Sequence, residues 1–219
     1  MKTFVGILAA GKSERWLKTK TPELPRQKQL VDIGGCPLIL RTHHQLHDRK
    51  IISVLITNDD YLAEFWNMVY RPGDIEDFTL STLLSTQPLW SDQNIILLGD
   101  VFYTDNTLDS ILKDARKPLR FVGNSQEIFA FRFNRYNEEY VVEQCKKVLS
   151  QSPPLRSFGK FRDLRWQIRH GSVQPPGGEP KDRVEDNNFD YVGDKTMDVD
   201  TLKGYERLLQ RIEKGHLIV

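Results

Sequence analysis

The sequence predicts an α/β fold with a mixed, mostly parallel central sheet flanked by helices. Three observations predict it. A short apolar run, Thr3 to Ala9, ends at the small residues Ala10-Gly11, a strand followed by a turn. Apolar runs at Ile51–Ile56 and Asn94–Leu98 have the length of buried strands. Segments with helical spacing fall between these runs, and strands alternating with helices from the first residue argue for parallel crossover units.

The chain has 219 residues and reads as a single domain over 1–219. Apolar residues make up 39% and charged residues 28%, enough for a core and too apolar for wholesale disorder. Lys and Arg number 31 against 30 Asp and Glu, so the chain lacks the basic excess of a duplex-DNA binder and no nucleic-acid partner is expected. No apolar run approaches the ~20 residues that span a bilayer, so no membrane partner is expected. Met1-Lys2 followed by Thr3 to Ala10 looks like a short signal peptide. It runs into Gly11-Lys12 and a charged segment, however, and reads as a buried first strand. Cys36 and Cys145 lie far apart and outside any CxxC, and read as reduced, buried thiols of a cytoplasmic protein.

After the first strand, Lys12 to Lys28 holds six basic residues against two acidic ones and reads as a long loop, often a functional feature. Pro37 opens a helix through about His47, with Leu38, Ile39 and Leu46 on one face. Ile51–Ile56 is a strand. Tyr61 to Tyr70 reads as a helix closed by Pro72-Gly73, and Leu80 to Leu89 as another with Ser81 as its cap. Asn94–Leu98 is a strand ending at Gly99-Asp100. Leu108 to Ala115 is helical, and Leu119–Val122 and Ile128–Phe133 are strands. Tyr136 to Leu149 places Val141, Cys145, Val148 and Leu149 at helical spacing. Gly171 to Pro180 is a loop, and Leu202 to Ile212 is a last helix with Thr201 as its N-cap. In mostly parallel sheets ligands bind beyond the carboxyl ends of the strands, which points at the segment after Ala9 and at Asp100.

Four motifs carry chemistry. The first is Leu8-Ala9-Ala10-Gly11-Lys12-Ser13-Glu14-Arg15. Small residues after a buried strand let backbone N–H groups approach a ligand closely, and Lys12 and Arg15 could hold phosphate oxygens. The fragment is neither a P-loop nor GxGxxG, and by itself reads equally well as a solvated basic turn. The second is Lys28-Gln29-Leu30-Val31-Asp32-Ile33-Gly34-Gly35-Cys36-Pro37-Leu38-Ile39.

Together these two segments resemble the N-terminal signature of nucleotidyltransferases with the Rossmann-like GT-A fold. Sugar-phosphate nucleotidylyltransferases and small cytidylyltransferases are among them. Their pattern is a strand, then L-A-A-G-x-G-(S/T)-R, then P-K-x-L, then G-G-x-P-L-I. Ser13 stands here in place of the second glycine, Glu14 in place of Ser/Thr, and Gln27 in place of the Pro before the lysine. A side chain at position 13 narrows the room for a backbone–phosphate approach.

The third motif is Ile95-Ile96-Leu97-Leu98-Gly99-Asp100-Val101. Alone, Asp100 would be a turn-capping aspartate. The resemblance implies that it binds Mg²⁺ at the nucleotide phosphates. The fourth is Met197-Asp198-Val199-Asp200-Thr201, similar to the family's late E/D-I-D-T-P-E-D segment. Asp200 aligns with the family's second metal ligand, and Asp198 is the second choice. Strand alternation would put both on one side.

The resemblance implies transfer of a nucleoside monophosphate from a nucleoside triphosphate, with CTP favoured by the short chain. The acceptor is a phosphorylated small molecule such as a sugar phosphate, polyol phosphate or phosphocholine, and pyrophosphate is released. It implies that Lys28 and Arg15 are catalytic, that Leu8, Ala9, Ala10, Gly11, Lys12 and Ser13 cradle the nucleotide, and that Ser81 and Ser85 lie where the family contacts the base. It implies Mg²⁺ on Asp100 and Asp200, and a homodimer as the expected assembly. Arg162, Arg165, Arg169 and His170 are candidates for an acceptor phosphate, or else a solvated face. His43 and His47 have the spacing of a zinc pair, but no third ligand is suggested. Two rivals are a nucleotide-sugar-dependent glycosyltransferase of the same fold and a non-catalytic nucleotide binder. Gly99-Asp100-Val101-Phe102-Tyr103 lacks the D-x-D of the first, and the Ser13 and Glu14 departures motivate the second.

Overall fold

A seven-stranded sheet forms the centre of the protein, in a computed structural model that describes residues 1–73, 79–113, 119–124, 127–150 and 188–215. In chain order the elements begin with β1 (Thr3–Leu8), α1 (Glu14–Thr19), β2 (Asp32–Ile33), β3 (Cys36–Pro37), α2 (Leu38–Asp48) and β4 (Val54–Ile56). They continue with α3 (Asp60–Ala63), β5 (Val69–Tyr70), α4 (Thr79–Ser85), β6 (Gln93–Leu98), β7 (Val101–Phe102) and α5 (Asp105–Lys113). The last are β8 (Leu119–Gly123), β9 (Ile128–Asn134), α6 (Glu138–Leu149), β10 (Phe189–Tyr191), β11 (Met197–Asp198) and α7 (Leu202–Glu213).

The strand order is β10-β8-β9-β6-β1-β4-β5. β1 runs parallel to β4 and β6, β4 to β5, and β8 to β10, while β9 runs antiparallel to both its neighbours, β6 and β8. The expected mixed, mostly parallel sheet is the one observed.

Both faces of this sheet are covered, which explains why its strands read as continuous apolar runs rather than alternating ones. Successive side chains point to opposite faces. Phe4 and Leu8 of β1, Ile96 of β6, and Phe131 and Phe133 of β9 pack with Leu80 and Leu83 of α4 and with Val141, Cys145 and Val148 of α6. Val5 and Ile7 of β1, with Ile95 and Leu97 of β6, pack on the other face with Ile39 and Leu46 of α2 and Leu108 and Ile111 of α5. Among the described residues no helix is long and apolar enough to cross a membrane.

Several elements differ from the sequence reading. Tyr61 to Tyr70 is not one helix. A single turn at Asp60–Ala63 is capped by Asp59, whose carboxylate accepts from Leu62 N at 2.9 Å, and Val69–Tyr70 is an edge strand. Pairing of Leu55 with Val69 and of Ile56 with Tyr70 outweighs helical spacing where the residues are β-branched and aromatic. Lys12 to Lys28 is not a structureless loop, because it contains α1 and leads into a 3₁₀ turn at Lys28–Leu30. The strand at Ile51–Ile56 shortens to Val54–Ile56, and Ile52 is exposed. Ser81 does not cap its helix but lies inside α4, and a 3₁₀ turn over Gln87–Leu89 follows. Cys36 is half-buried rather than buried, while burial pushes the Cys145 thiol up to about 12. Thr201 caps α7 as expected, accepting from Gly204 N at 3.2 Å. The loop at Gly171 to Pro180 and the predicted helix end at Ala115 lie outside the described residues.

Candidate active site

The site is built where β6 and β1 end side by side. Gly99 N donates to Leu8 O at 3.0 Å, and a Cβ on residue 99 would meet that oxygen at 3.0 Å and the Ala9 Cβ at 3.2 Å. Glycine therefore lets the two strand ends close on one another. The chain turns at Asp100 into β7, which pairs antiparallel with β11 so that Asp198 sits opposite Val101. Val199 N donates to Asp100 O at 2.9 Å. This short ribbon brings a carboxylate oxygen from each of Asp100, Asp198 and Asp200 within 4.8 Å of one another.

The basic segment faces these acids. Lys28 opens its 3₁₀ turn, and the preceding residue is pinned because Gln27 Nε2 donates to Asp59 Oδ2 at 2.7 Å. The Lys28 ammonium pairs with both Asp100 and Asp200, and the Arg15 guanidinium pairs with Asp200. Lys28 is 12% exposed and Arg15 is 75% exposed, so the lysine lies inside the site and the arginine at its mouth. Burial works against the Lys28 charge, but Asp100, Asp198 and Asp200 overcome it and raise its pKa above the ordinary lysine value.

A small separate core holds the two segments together. Trp16 of α1 is fully buried among Val31, Phe102, Val199, Tyr205 and Leu208. Its indole Nε1 donates to Pro25 O at 2.9 Å, and its ring meets that of Tyr205 edge-on at 6.1 Å. Tyr205 OH donates to Asp32 O at 2.8 Å. The hairpin of β2 and β3 turns on Gly34 and Gly35, with φ of 64° and 87°, a conformation that favours glycine. The G-G of the second motif thus makes the turn that presents Cys36-Pro37 to α2.

Burial, then the charges of Asp100 and Asp200, push the Asp198 carboxyl well above the usual carboxylate range. Its Oδ1 is buried and has no hydrogen-bond partner. Glu127 adds a fourth acid: its Oε2 accepts from Asp198 N at 3.4 Å, and burial, then Asp200 and Asp100, raise its pKa. Among the described residues, Lys28 and Arg15 thus face the four acids Asp100, Asp198, Asp200 and Glu127. The excess negative charge, the hard oxygen donors and the orphaned oxygen of Asp198 fit a divalent cation of the magnesium type.

Of the residues named from sequence, the structure brings Arg15, Lys28, Asp100 and Asp200 together. Asp198 joins them as a full member of the cluster, not as an alternative to Asp200. Leu8 and Ala9 are buried and lead into the half-buried Ala10 and the exposed Gly11 and Lys12. Ser13 adopts the left-handed conformation, φ 54° and ψ 34°, that the family glycine would take freely, and its hydroxyl is buried without a partner. Ser81 and Ser85 lie on α4, where the Ser85 hydroxyl donates to Thr82 O at 2.7 Å within the helix. The His43 ring packs at a tilt against Trp66, with centroids 4.0 Å apart, and burial followed by His44 lowers its pKa. Arg162, Arg165, Arg169, His170 and residues 74–78 lie outside the described residues.

Glu127 was missed by the sequence reading. It precedes β9, and β9 runs antiparallel to β6, so the amino end of β9 lies at the same sheet edge as the carboxyl end of β6. The sequence carries no sign of that reversal; only the strand direction exposes the residue.

No protein-family model and no curated protein matches the chain. Solved structures do. The inositol-1-phosphate CTP transferase from T. maritima superposes with a TM-score of 0.59 at 13% identity, over 98% of this chain and 97% of that one. The CTP:phosphocholine cytidylyltransferase from Streptococcus pneumoniae gives 0.57 at 16% identity, over 97% of this chain and 100% of that one. A nucleotidyl transferase from Methanothermobacter thermautotroptrophicus gives 0.57 at 16% identity, over 97% and 98% of the two chains. The chain shares the fold of these nucleotide-transferring proteins.

Proposed function

We propose that this protein is a nucleotidyltransferase that moves a nucleoside monophosphate unit from a nucleoside triphosphate to a phosphorylated small molecule. The observation that carries the reading is the Lys28 ammonium lodged between Asp100 and Asp200 at the carboxyl end of β6. That arrangement places a buried cation and an acid cluster together where ligands meet such sheets. Neighbours that share the fold and transfer nucleotides support it.

In this reading an oxygen of the acceptor phosphate attacks the α-phosphorus, and the bond to the β-phosphate oxygen breaks to release pyrophosphate. The acceptor is already anionic, so no strong base is needed and positioning with charge neutralisation supplies most of the rate. Lys28 stabilises charge on the α-phosphate oxygens. Arg15, exposed at the mouth, and Lys12 hold the leaving pyrophosphate. Leu8 to Ser13 line the nucleotide side, and Ser81 and Ser85 are assigned to the base side. Asp100, Asp198 and Asp200 would hold Mg²⁺, which when bound neutralises and orients phosphate oxygens. CTP is the proposed donor, supported by the CTP-dependent neighbours. Two free cysteines accord with a cytoplasmic setting.

The test is pyrophosphate release with Mg²⁺ and each of the four common nucleoside triphosphates. The acceptors are sugar 1-phosphates, polyol phosphates, phosphocholine and aminoalkyl phosphonates, with Asp100→Ala as control. Release for one donor–acceptor pair, lost in the variant, is the expected result. Nucleotide binding without release from any pair would favour a non-catalytic binder. Silence without nucleotide binding would overturn the reading.

A further inference from the structure

Asp194, in the loop between β10 and β11, ties three threonines into one polar knot. One carboxylate oxygen accepts from the hydroxyls of Thr104 and Thr107, the latter at 2.6 Å, and the other accepts from Thr196 N at 2.8 Å. Thr196 Oγ1 in turn accepts from Thr104 N at 3.2 Å, and Thr104 Oγ1 accepts from Thr107 N at 3.2 Å as the cap of α5. Thr107 and Thr196 are buried, so their hydroxyls need these partners. Burial opposes the Asp194 charge, and the hydrogen bonds from Thr104 and Thr107 more than offset it, holding the carboxyl below its usual range.

The knot sits at one end of the ribbon that makes the acid cluster. Thr104 follows β7 and Thr196 precedes β11, while Asp100 and Asp198–Asp200 lie at the ribbon's other end. The register of β7 against β11 decides whether Asp100 meets Asp198 and Asp200, and two residue pairs are a short ladder to fix it. We propose that Asp194 is a positioning residue that locks this register and thereby sets the geometry of the Asp100–Asp198–Asp200 cluster. This rests on the functional reading above. Asp194 is four residues away in sequence from Asp198 and touches none of the three carboxylates. Its influence passes through the Thr196 amide to the strand.

Mn²⁺ uptake by the purified protein, read by electron paramagnetic resonance with and without nucleoside triphosphate, tests it, alongside kcat and KM. Asp194→Ala is expected to weaken Mn²⁺ binding about tenfold, the effect typical of losing a group that orients metal ligands, and to lower kcat with little change in acceptor KM. Asp194→Asn keeps an acceptor for the Thr196 amide and restores binding to within about twofold. Asp109→Ala, which removes the ion pairs to Arg49 and Lys113 on the helix that Thr104 caps, leaves binding unchanged. Should Asp194→Ala fail to fold, Thr107→Val removes one donor at nearly constant shape and shows a smaller loss in the same direction. Wild-type affinity in Asp194→Ala, or in a folded Thr107→Val where the alanine variant does not fold, overturns the proposal and leaves the functional reading standing. A wild-type protein that takes up no Mn²⁺ overturns both.

Discussion

The Lys28 ammonium donates to the Asp200 carboxylate across 172 residues of chain, and neither side chain is more than 16% exposed. The contact joins the basic N-terminal segment to the acidic strand near the other end of the protein. It also puts a cation among the carboxylates assigned to metal. Lys28→Met removes that competing charge. In the variant, Mn²⁺ without nucleotide is expected to bind several-fold more tightly, while turnover falls by two or more orders of magnitude, about 3 kcal/mol. Calorimetric titration and pyrophosphate release check the two halves. Weaker metal binding together with normal turnover would remove Lys28 from the mechanism.

Trp16 makes a second prediction. Its ring fills the small core under the basic segment, so Trp16→Ala should cost about 3–5 kcal/mol in urea unfolding. Arg15 is its neighbour in sequence, and the loss of packing also frees Arg15 from Asp200. Trp16→Phe keeps a ring but loses the bond to Pro25 O, and should cost only about 1–2 kcal/mol with activity largely kept. Equal effects of the two substitutions would mean that the hydrogen bond, not the packing, holds the segment.

Ser13 is the clearest departure from the resembled motif, and the structure gives it a physical cost. A non-glycine residue in the left-handed region costs roughly 1–2 kcal/mol, and the hydroxyl is buried without a partner. Ser13→Gly removes both penalties, against about 0.5–1 kcal/mol of added chain entropy in the unfolded state. Net stabilisation of about 0.5–1 kcal/mol is expected, with a lower KM for the nucleoside triphosphate. A destabilised Ser13→Gly protein would show that the serine makes a contact worth more than the strain.

Most of the architecture was legible in the sequence because buried strands announce themselves. Thr3–Ala9 and Asn94–Leu98 were recognisable from apolar length, and the residues just beyond them carry the site. Lys28, Arg15, Asp100 and Asp200 stood out as candidates because each lies in a segment that resembles a family pattern. What stayed hidden depends on tertiary pairing. Val69–Tyr70 becomes a strand only because β4 is beside it. Trp16 turns a polar loop into a helix by burying one ring. Glu127 reaches the site only because β9 reverses direction, and the knot at Asp194 exists only once β11 lies against β7. None of these leaves a local periodicity to read.

The last prediction concerns acid stability and lies outside the site. Arg49, the C-cap of α2, is held between Asp105 and Asp109 of α5, at 2.8 and 2.7 Å. The hydrogen bond from Arg49 holds the Asp105 carboxyl below its ordinary value of 3.8, with burial opposing, and Lys113 and then Arg49 do the same for Asp109. Both folded-state values are depressed, so below the ordinary value the unfolded chain binds more protons than the folded one. The contribution is complete above the unfolded pKa and is lost as pH falls through the folded values. Both carboxylates are partly exposed, so the effect is modest and shrinks with added salt. The melting temperature of the wild type should exceed that of Asp105→Asn at pH 6, and the gap should close as pH drops below about 4. A gap that widens on acidification would mean that the aspartates are stabilised in the protonated form and that the clamp does not bind α2 to α5.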